Sequence, residues 1–241
     1  MGAHSNTMAT RNYTNSVEMH DVIAEDYAKN MTSEENHLYA HEILKILPIQ
    51  ARDVVLDVGA GNGRIAKAIL EDYPLIEKYY ALEPSKLADF FMFDDERVEI
   101  FRCLGQNVPL PDDVCDLVFA SEVFCHLKDK QEQIDILREM SRVTKPGGFV
   151  CIINTRCFDN ILYLYKRIRG LHEEYFKPQS KTEDGHEVYL YRRGYSVYEI
   201  KKLLRNSNLK LVRMIPGWKK LRIFKVYLHI ISQKIIDART R

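Results

Sequence analysis

The chain has 241 residues, of which 35 are basic and 34 acidic, so its formal net charge at pH 7 is +1. Its hydrophobic content of 46% is enough for one sizeable core and predicts a single folded domain. A net charge near zero argues against extended nucleic-acid binding, because proteins with that function usually carry a strongly basic surface. Nucleic acid is therefore not an expected partner.

The start of the chain lacks the pattern of a targeting segment. Residues 1–12 are expected to be a disordered start or the remnant of a tag, and residues 13–241 to form one domain. The first 30 residues contain no apolar core of a signal peptide, and no apolar run reaches the roughly 18 residues that span a bilayer. The five cysteines form no Cys-x-x-Cys pair. We therefore expect a cytoplasmic protein with reduced, structural cysteines.

Residues 17–47 have the apolar spacing of helices. Val22, Ile23 and Tyr27 recur at intervals of one and four, and a similar pattern continues until Pro48. The segment predicts two amphipathic N-terminal helices.

A glycine-rich turn follows the first predicted strand. The apolar run 54–56 is typical of a buried parallel strand, and helical spacing begins at Arg64. Between them stand Gly59, Gly61 and Gly63. Residues without a side chain allow positive φ and let a ligand approach the backbone near the free N–H groups of a helix start. The turn therefore predicts a nucleotide-binding loop.

The spacing of the glycines in this turn limits which classes of ligand it can bind. A dinucleotide site needs a glycine where this chain has Arg64, and no Gly-Lys-Ser/Thr sequence of a P-loop follows. Asp57 stands two residues before Gly59, where a carboxylate repels a pyrophosphate and suits a cationic ligand. The pattern favours a cationic nucleoside.

Four segments together resemble a known family. Asp57-Val58-Gly59-Ala60-Gly61-Asn62-Gly63 resembles motif I of the class I S-adenosylmethionine (SAM)-dependent methyltransferases, and Ala81-Leu82-Glu83-Pro84-Ser85 resembles the end of that family's second strand. The segments 108–127 and 138–148 resemble its fourth strand and the Lys-Pro-Gly-Gly turn before its fifth. These motifs cover about 100 residues in the family's order.

The resemblance implies a set of cofactor contacts. Glu83 aligns with the acidic residue that binds both ribose hydroxyls, which suits a carboxylate because it accepts two hydrogen bonds at once. Leu104 aligns with an acidic residue that, in many relatives, accepts a hydrogen bond from the adenine amino group. A leucine cannot accept this bond, so we expect Gln106 or the backbone to accept it instead. The residues expected to bind SAM, or S-adenosylhomocysteine (SAH) as product, are Asp57, Gly59, Ala60, Gly61, Gly63, Glu83, Pro84, Gly105, Gln106, Ala120, Ser121 and Tyr27.

The alternation of strands and helices predicts an α/β fold, and the resemblance makes it Rossmann-like. We expect a mostly parallel seven-stranded sheet with helices on both faces, N-terminal helices and an insertion after strand 5. Strands are predicted near 53–57, 78–82, 97–103, 114–120 and 148–154. Residues 155–195 are predicted to be a substrate lid, followed by a helix capped by Ser196 and Glu199. The segments around 209–211 and 223–231 suit antiparallel strands, although the latter also suits a helix.

The predicted function is methyl transfer to an oxygen or nitrogen of a small polar molecule, such as a sugar, an amine or a natural product. Candidate general bases are His126, His186 and His37, although alignment alone can suffice for this reaction. Ser121 and Glu122 are expected near the methionine end of SAM. No metal is expected. The alternatives are an RNA methyltransferase and a catalytically inactive SAM-binding partner subunit. The sequence predicts neither the acceptor nor the oligomeric state.

Overall fold

The computed structural model describes residues 10–13, 15–30, 34–91, 94–157, 175–181, 185–217 and 226–235. In these ranges the strands are β1 (Thr10–Tyr13), β2 (Val54–Val58), β3 (Lys78–Leu82), β4 (Val98–Phe101), β5 (Cys115–Ser121), β6 (Thr144–Cys157), β7 (Tyr175–Lys181), β8 (Glu187–Arg192), β9 (Leu209–Gly217) and β10 (Val226–Lys234). The helices are α1 (Ser16–Asn30), α2 (Glu34–Leu44), α3 (Arg64–Asp72), α4 (Lys130–Val143) and α5 (Val197–Arg205).

Seven strands form the main sheet, in the order β4-β3-β2-β5-β6-β10-β9. The pairs from β4 to β6 are parallel, and β10 runs antiparallel to both β6 and β9. This arrangement confirms the predicted Rossmann-like, mostly parallel seven-stranded sheet. The last two strands also settle the open choice for the segment from Val226 in favour of a strand.

Both faces of this sheet are covered, because β2 buries every one of its side chains. Leu56 and Val58 pack in one cluster with residues of α4 and α5, such as Leu137 and Leu203. Val55 faces the other way and packs with α3 and α2. Burial of each such side chain stabilises the fold by about 1.5–3 kcal/mol relative to exposure. Because both faces of the sheet are covered at β2, consecutive residues of this strand can all be apolar.

A second, three-stranded sheet lies beside α1, in the order β1-β8-β7. Strand β1 pairs with β8 in parallel, and β7 pairs with β8 antiparallel. Met19 and Ile23 of α1 pack against Val188 and Leu190 of β8. We call α1 and this small sheet the cap.

Three expectations need correction. Residues 10–12 are not a disordered start, because β8 offers them a strand edge and they pair with it; residues 1–9 lie outside the described residues. The strand predicted at 148–154 starts at Thr144, and the expected turn at Lys145–Gly148 is an irregularity within it, with Gly147 at φ +82°. Of the predicted lid 155–195, residues 158–174 and 182–184 lie outside the described residues, and the described part contains β7 and β8.

Helix α5 begins as predicted. The Ser196 side chain accepts from the Glu199 N–H at 3.2 Å, and the Glu199 carboxylate accepts from the Ser196 N–H at 2.8 Å.

Of the helices in the described ranges, none has the length and apolarity to cross a membrane. Those same ranges contain no group of three or more histidine, cysteine or acidic residues placed to hold a metal ion.

Candidate functional site

A cavity of about 720 Å³ opens at the carboxyl ends of β2, β3, β4 and β5. Open α/β sheets bind ligands at this edge. The cap covers it from the other side, through residues of α1 and Arg192 of β8. Of the residues predicted from the sequence, those on the cavity wall are Tyr27, Gly59, Ala60, Gly61, Glu83, Pro84, Gly105, Gln106, Ser121, Glu122 and His126.

The three glycines of the turn share a left-handed backbone but differ in the space around them. All have positive φ: +78° at Gly59, +60° at Gly61 and +80° at Gly63. A Cβ on Gly59 would lie 2.4 Å from Cγ2 of Val123, and one on Gly63 would lie 2.6 Å from the Phe91 ring. A Cβ on Gly61 would meet nothing within 4 Å. Gly61 is therefore the position where the backbone itself faces open space in the cavity.

Asp57 lies behind the turn and not on the cavity wall. Its side chain is on the same face of β2 as Val55, where Tyr79 donates a hydrogen bond to Oδ2 at 2.9 Å. The buried Oδ1 has no hydrogen-bond partner among the described residues. Burial raises the pKa of this carboxyl group to about 7. Direct contact between Asp57 and a cofactor therefore stays a prediction.

Two other residues predicted to bind the cofactor also lie off the cavity wall. They are Gly63 and the fully buried Ala120.

Glu83 closes the glycine turn onto the end of β3. Its Oε2 accepts from the Gly61 N–H at 2.8 Å, and Oε1 accepts from the N–H and the hydroxyl of Ser85 at 2.9 and 2.6 Å. A carboxylate has about four acceptor positions, so these protein donors use most of them. Glu83 thus holds the turn in shape as well as facing the cavity.

Gln106 lies on the far wall of the cavity. Its Nε2 donates to the Glu132 carboxylate at 3.0 Å, which fixes the orientation of the amide because a carboxylate only accepts. Its Oε1 is buried without a hydrogen-bond partner among the described residues. The neighbouring Leu104 is 46% exposed and lines the same wall. That Gln106 supplies the polar contact missing at Leu104 stays a prediction.

Of the two candidate bases whose side chains the structure describes, His126 lies on the cavity wall. Its Nδ1 donates to the carbonyl oxygen of Tyr191 at 2.9 Å, which defines the tautomer: in the neutral ring, Nε2 is the acceptor. His186 precedes β8 and does not line the cavity. His37 lies in α2, and its side chain is outside the described residues.

Sequence reasoning missed several wall residues, among them His20, Arg64 and Arg192. His20 stacks edge-on against Tyr27 at 5.4 Å between ring centroids, and burial lowers its pKa. Its position seven residues before Tyr27, on the same helix face, was the signal available in the sequence. Arg64 lies over the Tyr39 ring at 4.4 Å, and the Tyr39 hydroxyl hydrogen-bonds to Ser121 at 3.0 Å.

Comparison with known proteins gives matches to the same part of the chain. The methyltransferase domain family matches residues 56–152. A malonyl-[acyl-carrier protein] O-methyltransferase from a Marinomonas species is 33% identical over 114 residues, 45% of this chain and 40% of that protein. A sarcosine/dimethylglycine N-methyltransferase from Halorhodospira halochloris is 33% identical over 101 residues, 39% of this chain and 34% of that protein. The chain spans well under half the length of these relatives.

Solved structures match over more of the chain at lower identity. A SAM-dependent methyltransferase from Methanosarcina mazei has a TM-score of 0.61 at 18% identity, covering 81% of this chain and 98% of that one. A putative methyltransferase from Haloferax volcanii, in complex with the Trm112 activator, has a TM-score of 0.66 at 18% identity, with coverage of 92% and 98%. The [4+2]-cyclase SpnF has a TM-score of 0.67 at 12% identity, with coverage of 95% and 98%. At these identities the likeness concerns the fold alone.

Proposed function

We propose that this chain, which belongs to the class I SAM-dependent methyltransferases, transfers a methyl group from SAM to an oxygen or nitrogen of a small polar molecule. One observation carries the proposal. The open glycine turn at Gly61, the Glu83 carboxylate and the side chain of Gln106 line one continuous cavity at the carboxyl edge of the sheet.

The residues present fit SAM. The Gly61 backbone faces open space, so the cofactor can approach it closely. Glu83 lies at the end of β3 with about one acceptor position left for a ribose hydroxyl, and Gln106 is the wall residue that we expect to face the adenine. SAM supplies a methyl group already activated by the sulfonium, so the protein mainly has to align the acceptor.

The size of the cavity supports a small acceptor. A volume of about 720 Å³ lies in the range of about 300–1,000 Å³ that is typical of small-molecule sites. The cap over the cavity favours this reading over the alternative of an RNA methyltransferase, which must admit a polynucleotide. The two relatives whose names specify O- and N-methylation support oxygen or nitrogen as the target atom.

We propose His126 as the group that takes a proton from the acceptor. With Nδ1 donating to Tyr191, its Nε2 can accept a proton from a hydroxyl or ammonium nucleophile. General-base assistance of this kind is worth about 10²–10⁴-fold when the nucleophile must lose a proton. An amine that arrives deprotonated needs no such help.

Two measurements test the proposal. Thermal unfolding with SAM or SAH tests binding, because a ligand at 100 times its dissociation constant stabilises by about 2.7 kcal/mol. We expect a shift for the wild type and for Lys67→Ala, whose side chain lies outside the cavity, and a smaller one for Glu83→Ala. Absence of any shift with SAM and SAH contradicts the proposal.

SAH formation with a panel of hydroxyl and amine acceptors tests turnover. It also separates methyl transfer from the other chemistry that this fold carries, as in the cyclase. Binding of SAM without turnover of any acceptor favours the alternative of an inactive SAM-binding partner subunit.

A further inference from the structure

We propose that His20 of α1 accepts a hydrogen bond from one hydroxyl of the cofactor's ribose, so that the cap completes the ribose site that Glu83 begins. This inference rests on the proposed function, because it assigns a further residue of the chain to the same cofactor. His20 is a titratable side chain of the cavity wall, and neither the sequence motifs nor the acceptor chemistry gives it a role. What decides its role is the number of hydrogen-bond acceptors at the end of β3, and not the balance of charges around the cavity.

Glu83 alone has too few acceptor positions for a ribose. Both ribose hydroxyls of SAM or SAH can donate, and a carboxylate has about four acceptor positions. Oε1 of Glu83 accepts from the N–H and the hydroxyl of Ser85, and Oε2 accepts from the Gly61 N–H. About one position is left. A diol held by Glu83 therefore needs a second acceptor, because a buried donor without a partner is costly.

The cap helix α1 is bonded to the segment that carries this carboxylate. Ser85 donates to Glu83, and the next residue, Lys86, donates its N–H to the Asp21 carboxylate of α1 at 2.7 Å. Asp21 is the chain neighbour of His20, and the side chain of His20 lines the cavity together with Glu83. The cap therefore brings His20 to the ribose end of the cavity.

His20 has an acceptor nitrogen as long as its ring is neutral, because a neutral imidazole has one N–H donor and one acceptor. Burial lowers the pKa of His20; the Glu83 carboxylate, a backbone hydrogen bond to Ser16 and the Asp21 carboxylate oppose this shift, and the Arg192 guanidinium adds to it. The ring is therefore neutral at pH 7. Since a backbone carbonyl only accepts, the bond to Ser16 uses the ring N–H, and the other ring nitrogen is the acceptor.

Packing fixes the orientation of this ring. Tyr27, two turns later on α1, meets it edge-on with 5.4 Å between the ring centroids. Asn15 is another polar residue of the cap on the cavity wall, but its Oδ1 already accepts from the N–H groups of Val17 and Glu18 at the start of α1. Of these two cap side chains, His20 is the one with an acceptor to offer the ribose.

The test compares the binding of SAH and of its 2′-deoxy and 3′-deoxy analogues to the wild type and to His20→Phe, measured by calorimetry. His20→Phe keeps an aromatic ring for the contact with Tyr27 and removes the acceptor. We expect the dissociation constant of SAH to rise about tenfold in this variant. The analogue that lacks the hydroxyl facing His20 should bind both proteins alike, whereas the other analogue should keep the tenfold difference.

His41→Phe is the matched control. His41 lies on α2 outside the cavity, where its Nδ1 forms a hydrogen bond with the Asp72 carboxylate at 3.0 Å. We expect this variant to bind all three compounds as the wild type does. His20→Gln places an amide oxygen near the lost ring nitrogen, so it should restore most of the affinity for SAH. If His20→Phe does not fold, His20→Met replaces it in the same comparison.

Three outcomes overturn the inference. An unchanged SAH affinity in His20→Phe removes the contact, whether or not turnover falls. An equal loss of affinity for SAH and for both analogues assigns His20 to the packing of the cap and not to the ribose. A His20→Gln variant that binds SAH as weakly as His20→Phe counts against an accepted hydrogen bond. A wild type that does not bind SAH fails the proposed function instead.

Discussion

The glycine turn allows a quantitative test, because two of its glycines have similar φ and different surroundings. Replacing Gly61 by alanine adds the cost of a left-handed backbone, about 1–2 kcal/mol, and nothing else, since its Cβ would have open space. Gly59→Ala carries the same backbone cost and also forces a Cβ to within 2.4 Å of Val123 Cγ2. Overpacking of this kind costs about 1–3 kcal/mol. Val123 gives way poorly, because a β-branched side chain has few rotamers.

We therefore expect urea unfolding to show a loss of about 1–2 kcal/mol for Gly61→Ala and about 2–5 kcal/mol for Gly59→Ala. Val123→Ala removes the clashing methyl, so in the double variant Gly59→Ala/Val123→Ala the cost of the alanine should fall to that of Gly61→Ala. Equal losses for the two single variants, or a double variant no better than additive, would refute the argument from the Val123 contact. SAM affinity should fall more for Gly61→Ala than its stability loss suggests, because its new methyl group enters the cavity.

Three further predictions concern buried polar groups. The Asp57 pKa is raised to about 7, so the folded state holds a proton that the unfolded state releases near pH 4, and the free energy of unfolding should decrease as the pH rises from about 4 to 7. Asp57→Asn, which still accepts from Tyr79, should lose this decrease in urea titrations; an unchanged slope contradicts the assignment. Gln106→Leu should raise the dissociation constant of SAM about tenfold, measured by calorimetry, with Leu104→Ala as a control of small effect. His126→Asn keeps a donor for the Tyr191 carbonyl and should lower kcat by about 10²–10⁴-fold for a hydroxyl acceptor without changing SAM affinity; an unaffected kcat would show that alignment suffices.

The sequence predicted the parts of the fold whose signals are local. The apolar run before Gly59 and the serine before α5 specify a buried strand and a capped helix through neighbours a few residues away. The alternation of side chains along a strand also predicts the orientation of Asp57. Because Leu56 and Val58 flank it, its side chain must face the opposite side of the sheet, where Tyr79 lies. The sequence prediction considered the charge of Asp57 and overlooked this alternation.

Arg192 was beyond sequence reasoning for a different reason. Its place in the site depends on β8 docking onto the turn after β5, about 70 residues earlier in the chain, through backbone carbonyls that every residue possesses. The pairing of residues 10–13 with the same strand is equally unspecific in sequence. Backbone contacts over such separations leave no pattern of residue types. The sequence therefore predicts an N-terminal helix and a lid at 155–195, but not their assembly with β1 into the cap.

The cap also determines how a product nucleoside would leave. At the end of β8 it is tied to the turn that carries His126, whereas α1 reaches the other side of the cavity through the Asp21 carboxylate, which accepts from the Lys86 N–H at 2.7 Å. An exposed hydrogen bond to a side chain separates more readily than the buried hydrogen bonds that tie the end of β8 to this turn. We expect α1 to be the element that moves when a product nucleoside leaves, while β8 stays bound to the turn after β5.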